Sequence, residues 1–290
     1  MSEIHDLFEI ADNNSNNLIK KAEEIKGIQK DNYIIISELV KDNWFISINM
    51  KIYNLNSFLI SGKYKNSYEI IKEEKEALKD RYETDFSIEK VLARRLKGYY
   101  LRRTIFDNSF KDGKKFKYGA LNIGGVGASR YGEACILIVS DFSRKSSLLF
   151  VKNDSTQYVI DETRVDIERL TYEIANNNYV HVLAAIKHCI CDEKVNQEML
   201  PNIICCEGSY LEAITKDDIT PQQIHNIRIS KKVKDQYFEY LFKEYTDGIN
   251  DSEKLWLQEF TRMNCLLKTF GIKLDVVDQN DLSNHCDISI

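Results

Sequence analysis

The sequence predicts an α+β protein, a central and mostly antiparallel sheet with helical N-terminal and C-terminal layers. Three observations carry this. Apolar residues recur at helical spacing near both ends of the chain. The middle third is a series of short β-branched and aromatic runs separated by short polar links. And 43% of the 290 residues are hydrophobic, enough for a core, while 29% are charged, an ordinary surface.

Taken in order, Ile4, Leu7, Phe8 and Ala11 form one helical bout and Leu18, Ile19, Ala22, Ile25 and Ile28 a second. The polar run Asp12–Asn17 between them predicts a loop. Tyr33–Val40 and Trp44–Leu55 predict a hairpin turning at Lys41-Asp42-Asn43, with Trp44, Ile46, Ile48, Met50 and Ile52 on its buried face. Asn66–Tyr82 and Ser87–Arg103 have helical period, with Ser67 and Ser87 as N-caps and no capping box at either. The second of these carries Arg94, Arg95, Lys97, Arg102 and Arg103, the most basic stretch of the chain, which fits a solvated face better than a phosphate-binding one.

Strands are expected over Lys117–Leu121, Ala134–Ser140, Ser147–Lys152 and Gln157–Ile160, then helices over Asp166–Asn176 and Tyr179–Cys191. Short strands are expected near Asn202–Cys206, Tyr210–Ile214 and Asn226–Ile229. Lys231–Tyr245 and Ser252–Phe270 are amphipathic helices, the second ending at Gly271 as a C-cap, and Ile272–Val277 closes as a strand. With no repeat and no low-complexity linker, one domain over 1–290 is the simplest organisation; a division into 1–110 and 111–290 is the second.

A net charge of −5 gives no global basic field to draw in nucleic acid, although a local patch keeps nucleic acid open. No apolar run approaches the ~18 residues that span a bilayer, and no secretory start is visible. The seven cysteines, Cys135, Cys189, Cys191, Cys205, Cys206, Cys265 and Cys286, are odd in number and sit mostly in apolar runs. Free thiols in a cytoplasmic protein fit this best.

Four segments offer chemistry. Tyr118–Glu133 holds five of the twelve glycines, Gly119, Gly124, Gly125, Gly127 and Gly132, followed by Ser129, Arg130, Tyr131 and Glu133. Glycine admits close backbone approach to a ligand, and arginine suits phosphate or carboxylate. The spacing is neither a dinucleotide fingerprint nor a phosphate loop, and a plain hairpin tip accounts for it equally well. Asn153-Asp154-Ser155-Thr156 has the composition of a β-turn but would place Asp154 and Ser155 near the glycine segment. In Glu207–Ile214, Glu212 shares a strand face with Tyr210 and Ile214; it is a candidate base or cation stabiliser, and a solvent-side carboxylate is the plainer alternative. His181, His188, Cys189, Cys191, Cys205 and Cys206 lack metal-ligand spacing, so no metal is assigned and core thiols are expected.

The pieces Tyr118-Gly-Ala-Leu-Asn122, Gly124-Gly125, Ala128-Ser-Arg130-Tyr131-Gly132 and Phe150-Val-Lys-Asn-Asp154-Ser155 resemble an uncharacterised bacterial domain family with a YGALN…GGA-x-R-[FY]-G signature. Arg81–Ser87 and Tyr210-Leu-Glu212-Ala are similar to that family's flanking pieces, in the same order, over roughly residues 80–220. Asp85 and Ile214 depart from its pattern. The order Arg81, Thr84/Ser87, Glu212 is loosely similar to ADP-ribosyltransferase folds, whose early Arg or His, central hydroxyl and late Glu bind NAD and cleave its nicotinamide–ribose bond. Helical spacing around Arg81 does not match the strand on which that fold carries its cation.

The resemblance implies a bacterial toxin or defence-type effector acting on a nucleotide, with NAD as the substrate, by ADP-ribosyl transfer or NAD hydrolysis. Glu212, Arg130 and Glu133 are the catalytic candidates. Arg81, Ser87, Gly124, Gly125, Tyr131, Asp154 and Ser155 are the substrate-binding ones. Two other classes stand beside it. One is a metal-dependent nuclease built on Asp154, Glu133 and Glu212. The other is a non-enzymatic subunit with a protein partner or a second copy of itself.

Overall fold

An eight-stranded sheet organises the protein in the computed structural model, which describes residues 4–79, 93, 99–139, 147–191, 193–205, 208–246 and 248–278. Three helices open the chain: α1 (Leu7–Asn13), α2 (Ser15–Glu24) and α3 (Ile28–Asn43). The loop expected over Asp12–Asn17 is almost entirely helical, interrupted only at Asn14. That residue is buried, and its side-chain amide donates to the carbonyl of Ile174 at 2.6 Å. The strand expected over Tyr33–Val40 is the middle of α3, so there is no hairpin. The run Tyr33-Ile-Ile-Ile36 has the composition of a strand, yet Asn32, Ile36 and Val40 fall four apart and are the residues α3 buries. Burial along a helical stripe outweighs β propensity here.

The next strand, β1 (Phe45–Met50), buries Trp44, Ile46, Ile48 and Met50 beside or within it, as expected. It stops short of the expected end, because Ile52 starts α4 (Ile52–Ser61). α5 (Ser67–Lys79) is capped one residue earlier than the sequence indicates. The Asn66 side chain accepts from the Glu69 amide at 3.0 Å, and Glu69 accepts from the Asn66 amide at 2.9 Å, a reciprocal capping box. α6 (Tyr100–Asn108) is the described end of the expected basic helix. Arg81 and Ser87, with Arg94, Arg95 and Lys97, lie outside the described residues.

In the β-rich middle, β2 (Lys117–Asn122), β3 (Ala134–Ile138) and β4 (Leu148–Val151) follow the expected runs. β5 (Val159–Ile160) keeps only the end of its run, which opens as a 3₁₀ turn, and β6 (Arg164–Val165) lies outside the expected runs. The helix expected over Asp166–Asn176 gives way to a strand at Ile174. Then come α7 (Ile167–Tyr172), β7 (Ile174–Asn176), α8 (Val180–His188) and α9 (Leu200–Ile204). The strand expected over Asn202–Cys206 is therefore α9 as far as Ile204, started by Pro201 in its first turn. β8 (Glu212–Thr215), β9 (Ile224–Ser230), α10 (Lys231–Thr246), α11 (Asp251–Phe270) and β10 (Lys273–Val277) complete the chain, and Gly271 ends α11 in the left-handed conformation at φ 65°.

The strand order is β10-β9-β3-β1-β2-β8-β4-β7, antiparallel throughout except for the β9–β10 pair. This is the α+β architecture that the sequence predicts. One face packs on α2, α3, α4, α8 and α11, through residues such as Ile36, Leu55, Leu183 and Phe260. The other is covered by α1, α6 and α7, where Leu7, Phe106 and Leu170 meet Leu149, Val151 and Ile214.

Registered neighbours share a face, so Ser47, Ala120, Glu212 and Val151 form one row across β1, β2, β8 and β4 on the α6 side. The row is apolar at Val151 and becomes polar at Glu212. No helix among the described residues is long and apolar enough to cross a membrane.

The glycine-rich segment is mainly a packing device. Side-chain carbons added at Gly124 and Gly125 would lie 2.9 Å and 2.8 Å from Pro201 and Cys205. At Gly132, with φ 153°, an added carbon would lie 2.0 Å from the Met50 backbone. Asn49 donates across the same segment to the carbonyls of Val126 and Gly132, at 2.9 and 3.2 Å. Replacing Gly132 by Ala is therefore expected to cost roughly 2–4 kcal/mol of stability by forcing β1 and the segment apart. Urea denaturation of the two proteins measures this, and a change below ~0.5 kcal/mol would contradict the packing role.

A candidate active site beneath α6

Where the polar row begins, one helix supplies two charged side chains. Arg103 and Asp107 are one turn apart on α6 and face the sheet together, on the side that also buries Phe106 and Phe110. Below them lie Tyr118 on β2 and Glu212 at the first position of β8. Asp154 and Ser155 stand just past the end of β4, where the Asp154 side chain accepts from the Thr156 amide at 3.0 Å and starts a short 3₁₀ turn. Their fixed position follows from that cap.

The Arg103 guanidinium is the hub. It donates to Ser155 Oγ at 2.7 Å and to Glu212 Oε1 at 3.1 Å, stands 3.7 Å from Asp154 and lies over the Tyr118 ring at 3.7 Å from its centroid. The second carboxylate oxygen of Glu212 accepts the Ser155 amide at 2.7 Å. Asp107 accepts from the hydroxyls of Tyr118 and Tyr68, the latter at 2.8 Å. Arg130 reaches in from the end of the glycine-rich segment. It donates to the hydroxyls of Tyr131 and Tyr210 at 2.9 and 3.1 Å and sits 3.8 Å from Asp154.

Three carboxylates thus surround one buried guanidinium, with Arg130 further out. The imbalance appears in their acidities. Burial pushes the Glu212 carboxyl up to about 7; Arg103 opposes the rise and Asp154 adds to it. Burial also raises Asp107, against Arg103 and the two tyrosine bonds. For Asp154 burial acts upward too, but Arg103 and the Thr156 bonds outweigh it and hold the group below its ordinary value. The cluster therefore separates a committed anion, Asp154, from a carboxyl poised near neutrality, Glu212, a division of roles common at acid–base sites.

Arg103, Asp107, Tyr118, Tyr131, Tyr210 and Glu212 line one end of a cleft of about 890 Å³. That is within the size of small-molecule sites. The cleft continues past Tyr68 and Tyr64 to the polar side chains Asn54, Ser57 and Lys63.

Of the residues singled out in the sequence, Arg130, Tyr131, Asp154, Ser155 and Glu212 converge on this hydrogen-bonded cluster, of which Tyr131 and Glu212 line the cleft. Glu212 is 3% exposed, which overturns the plainer view of it as a solvent-side carboxylate. The Asp154 turn and the end of the basic helix likewise point inward; the Arg103 side chain is only 13% exposed. Glu133 stands apart, accepting the Ile52 amide at 3.4 Å and so capping α4. Gly124 and Gly125 face α9 rather than the cleft.

Because Glu133 is elsewhere, the donor set weighed for a metal is not assembled, and among the described residues no group of three or more His, Cys, Asp or Glu could hold one. Cys135, Cys189 and Cys205 are buried free thiols; Cys191 and Cys265 are free and exposed. Arg103, Asp107, Tyr68 and Tyr210 were not among the sequence candidates. The available signal was the Arg103/Asp107 spacing on a helix that buries its phenylalanines on the same side.

In comparisons with known proteins, no family model matches the chain and no curated protein matches it at a significant level.

Arg103→Met removes the one guanidinium common to Asp154, Ser155 and Glu212. Leaving buried carboxylates without it is expected to cost about 3–5 kcal/mol, and to raise the Glu212 titration midpoint further. Guanidinium denaturation and a carboxyl-carbon NMR titration check the two halves. An unchanged midpoint would remove Arg103 as the controlling charge.

Proposed function

We propose that this protein cleaves an NAD-type nucleotide between base and ribose, as a bacterial toxin or defence-type effector. The observation that carries the reading is the convergence of an arginine, a hydroxyl and a late-strand glutamate, in the chain order Arg103, Ser155, Glu212, in one hydrogen-bonded cluster whose Arg103 and Glu212 line a tyrosine-bearing cleft and whose Ser155 is buried behind them. That order is the one in which ADP-ribosyltransferase folds arrange their site. Here Arg103 takes the place given to Arg81 from the sequence. It sits on a helix where that fold uses a strand, so the likeness is one of chemistry and chain order.

The chemistry follows from charge. The cleft end holds Asp107 and Glu212 against Arg103, with the buried Asp154 and the partly exposed Arg130 beside them. A cationic nicotinamide ring, and the positive charge that develops on ribose as the glycosidic bond breaks, are both favoured by that excess of carboxylate. The bonding pair leaves with nicotinamide, which departs neutral. The ribosyl cation stands against the Glu212 carboxylate, and water or an acceptor hydroxyl adds to it and gives up a proton. Arg130, the more exposed cation, is placed to contact phosphate.

Only the ionised form of Glu212 stabilises a cation. Nicotinamide release from NAD is therefore expected to rise with pH through about 7, the value to which burial pushes this carboxyl. Glu212→Gln is expected to lower the rate by about 100-fold or more and to abolish that limb. Chromatographic quantitation of nicotinamide reads both. If the wild-type protein releases none, with or without protein acceptors, the reading fails.

A second copy of the chain is the partner best supported. Phe238, Phe242 and Tyr245 form an exposed stripe on α10, a helix with no fully buried residue. Lys231, Lys232 and Lys234 flank its start, and Glu239 and Glu244 its later half. Two such helices packed together bury a shared aromatic seam. Sedimentation is expected to show a dimer that Phe242→Glu dissociates; a wild-type monomer at ~100 μM would exclude it.

A further inference from the structure

The two strands that carry the site part company where it begins. In β4 and β8 the last registered pair is Val151 with Glu212. Continuing the ladder would pair Lys152 with Leu211 and Asn153 with Tyr210. Lys152 and Leu211 would be a non-hydrogen-bonded pair in any case, the Lys152 amide donating outward to Glu173 and the Leu211 carbonyl accepting from Leu121, at 2.8 and 2.9 Å; the first rung lost is the one between Asn153 and Tyr210. Asp154 and Ser155 follow on one parted end, and Tyr210 lies on the other. Parting opens the space the site needs, but it leaves two strand ends with no rung between them.

Lys187 fills that gap. It comes from α8, which packs on the opposite face of the sheet from α6, alongside Leu211 and Ala213. Its ammonium donates to the carbonyl of Lys152, to Asn153 Oδ1 at 3.2 Å and to the carbonyl of Tyr210 at 2.9 Å. Three acceptors use all three donors of a charged ammonium; a neutral amine has two. Among the described residues no carboxylate is paired with it at salt-bridge distance. A half-buried lysine bonded to three neutral oxygens is costly as a stability device, since its charge is compensated only by dipoles. Burial indeed pushes the group down to about 7, with Lys152 adding to the fall and Glu173 opposing it.

We propose that Lys187 is a positioning residue that replaces the missing Asn153–Tyr210 rung of the β4–β8 ladder and so holds Asp154 and Ser155 in register with Tyr210 and Glu212. It touches none of the cleft-lining acids itself, and acts through the two backbones. The Ser155 amide bonded to Glu212 is the contact it protects. Its catalytic consequence rests on the function proposed above; its structural consequence does not.

Hydrogen exchange followed by mass spectrometry tests it without reference to activity. In Lys187→Met, exchange over residues 152–156 and 209–212 is expected to speed up by at least about tenfold, while α11 residues 257–267 are unchanged. Lys187→Arg, which keeps the charge and the donors, is expected to retain most of the protection. Should Lys187→Met not fold, Lys187→Gln is read in its place and is expected to show the same local loss. If nicotinamide release is observed, Lys187→Met should lower kcat about tenfold with KM within twofold, and Lys187→Arg should recover part of it.

Equal exchange in both segments for wild type and variant would overturn the proposal even if NAD is cleaved. Faster exchange spread evenly over α11 as well would assign Lys187 to general stability and overturn it too. Local loss of protection in a protein that does not cleave NAD would uphold the clamp and remove only the enzymatic reading.

Discussion

The constraint on which the site depends is the excess of carboxylate around one guanidinium. Arg103 binds Ser155 and Glu212, approaches Asp154 and stacks on Tyr118, so α6, β2, β8 and the turn after β4 meet at a single cation. Burying that many charges is expensive, and replacement by apolar residues of similar volume is often neutral or stabilising. A cluster of this kind with a cleft above it is better explained by chemistry than by stability. The acidities follow from the same arrangement: Asp154 is held ionised by Arg103 and Thr156, while Glu212, bonded to the same arginine but fully enclosed, is displaced toward neutrality.

The rest of the fold can be understood as support for that cluster. The row Ser47, Ala120, Glu212, Val151 places the glutamate at the point where the sheet face passes from core to cleft. The glycines allow β1, α9 and the 123–132 segment to approach closely enough for Arg130 and Tyr131 to reach the site, although two of them, Gly124 and Gly125, never face it. Lys187 reaches the same two strand ends from the other side of the sheet. Backbone spacing and buried charge therefore work together: each loop that supplies a site residue is tied down by a specific polar contact rather than by apolar packing alone.

Much of this was legible in the sequence, and the failures have definite causes. Alternation from Trp44 to Met50, and the short β-branched and aromatic runs at Lys117, Ala134 and Ser147, give the sheet correctly; the Ala134 and Ser147 strands are buried at every residue, so their apolar content rather than a period marks them. Tyr33–Val40 misleads because three consecutive isoleucines hide a helical stripe four residues apart. Asn202–Cys206 misleads because a short apolar run after Pro201 does not distinguish a strand from one turn of helix. Glu212, Arg130, Asp154 and Ser155 were found through order and residue type. Arg103 was not, because its neighbours in sequence are other basic residues and only the tertiary fold turns it inward. Glycine content pointed to the right region for the wrong reason: it marks close packing, and the chemistry lies at its two ends.

On the proposed function, the excess of carboxylate around Arg103 selects a cationic nucleotide. Calorimetric titration of the wild-type protein at pH 8 with NAD⁺ and with NADH, using a slowly cleaved NAD⁺ analogue if turnover interferes, tests it most directly. The two differ chiefly in the charge of the nicotinamide ring. The oxidised form is expected to bind at least about tenfold more tightly, a difference of ~1.4 kcal/mol. Equal affinity, or preference for the reduced form, would contradict it.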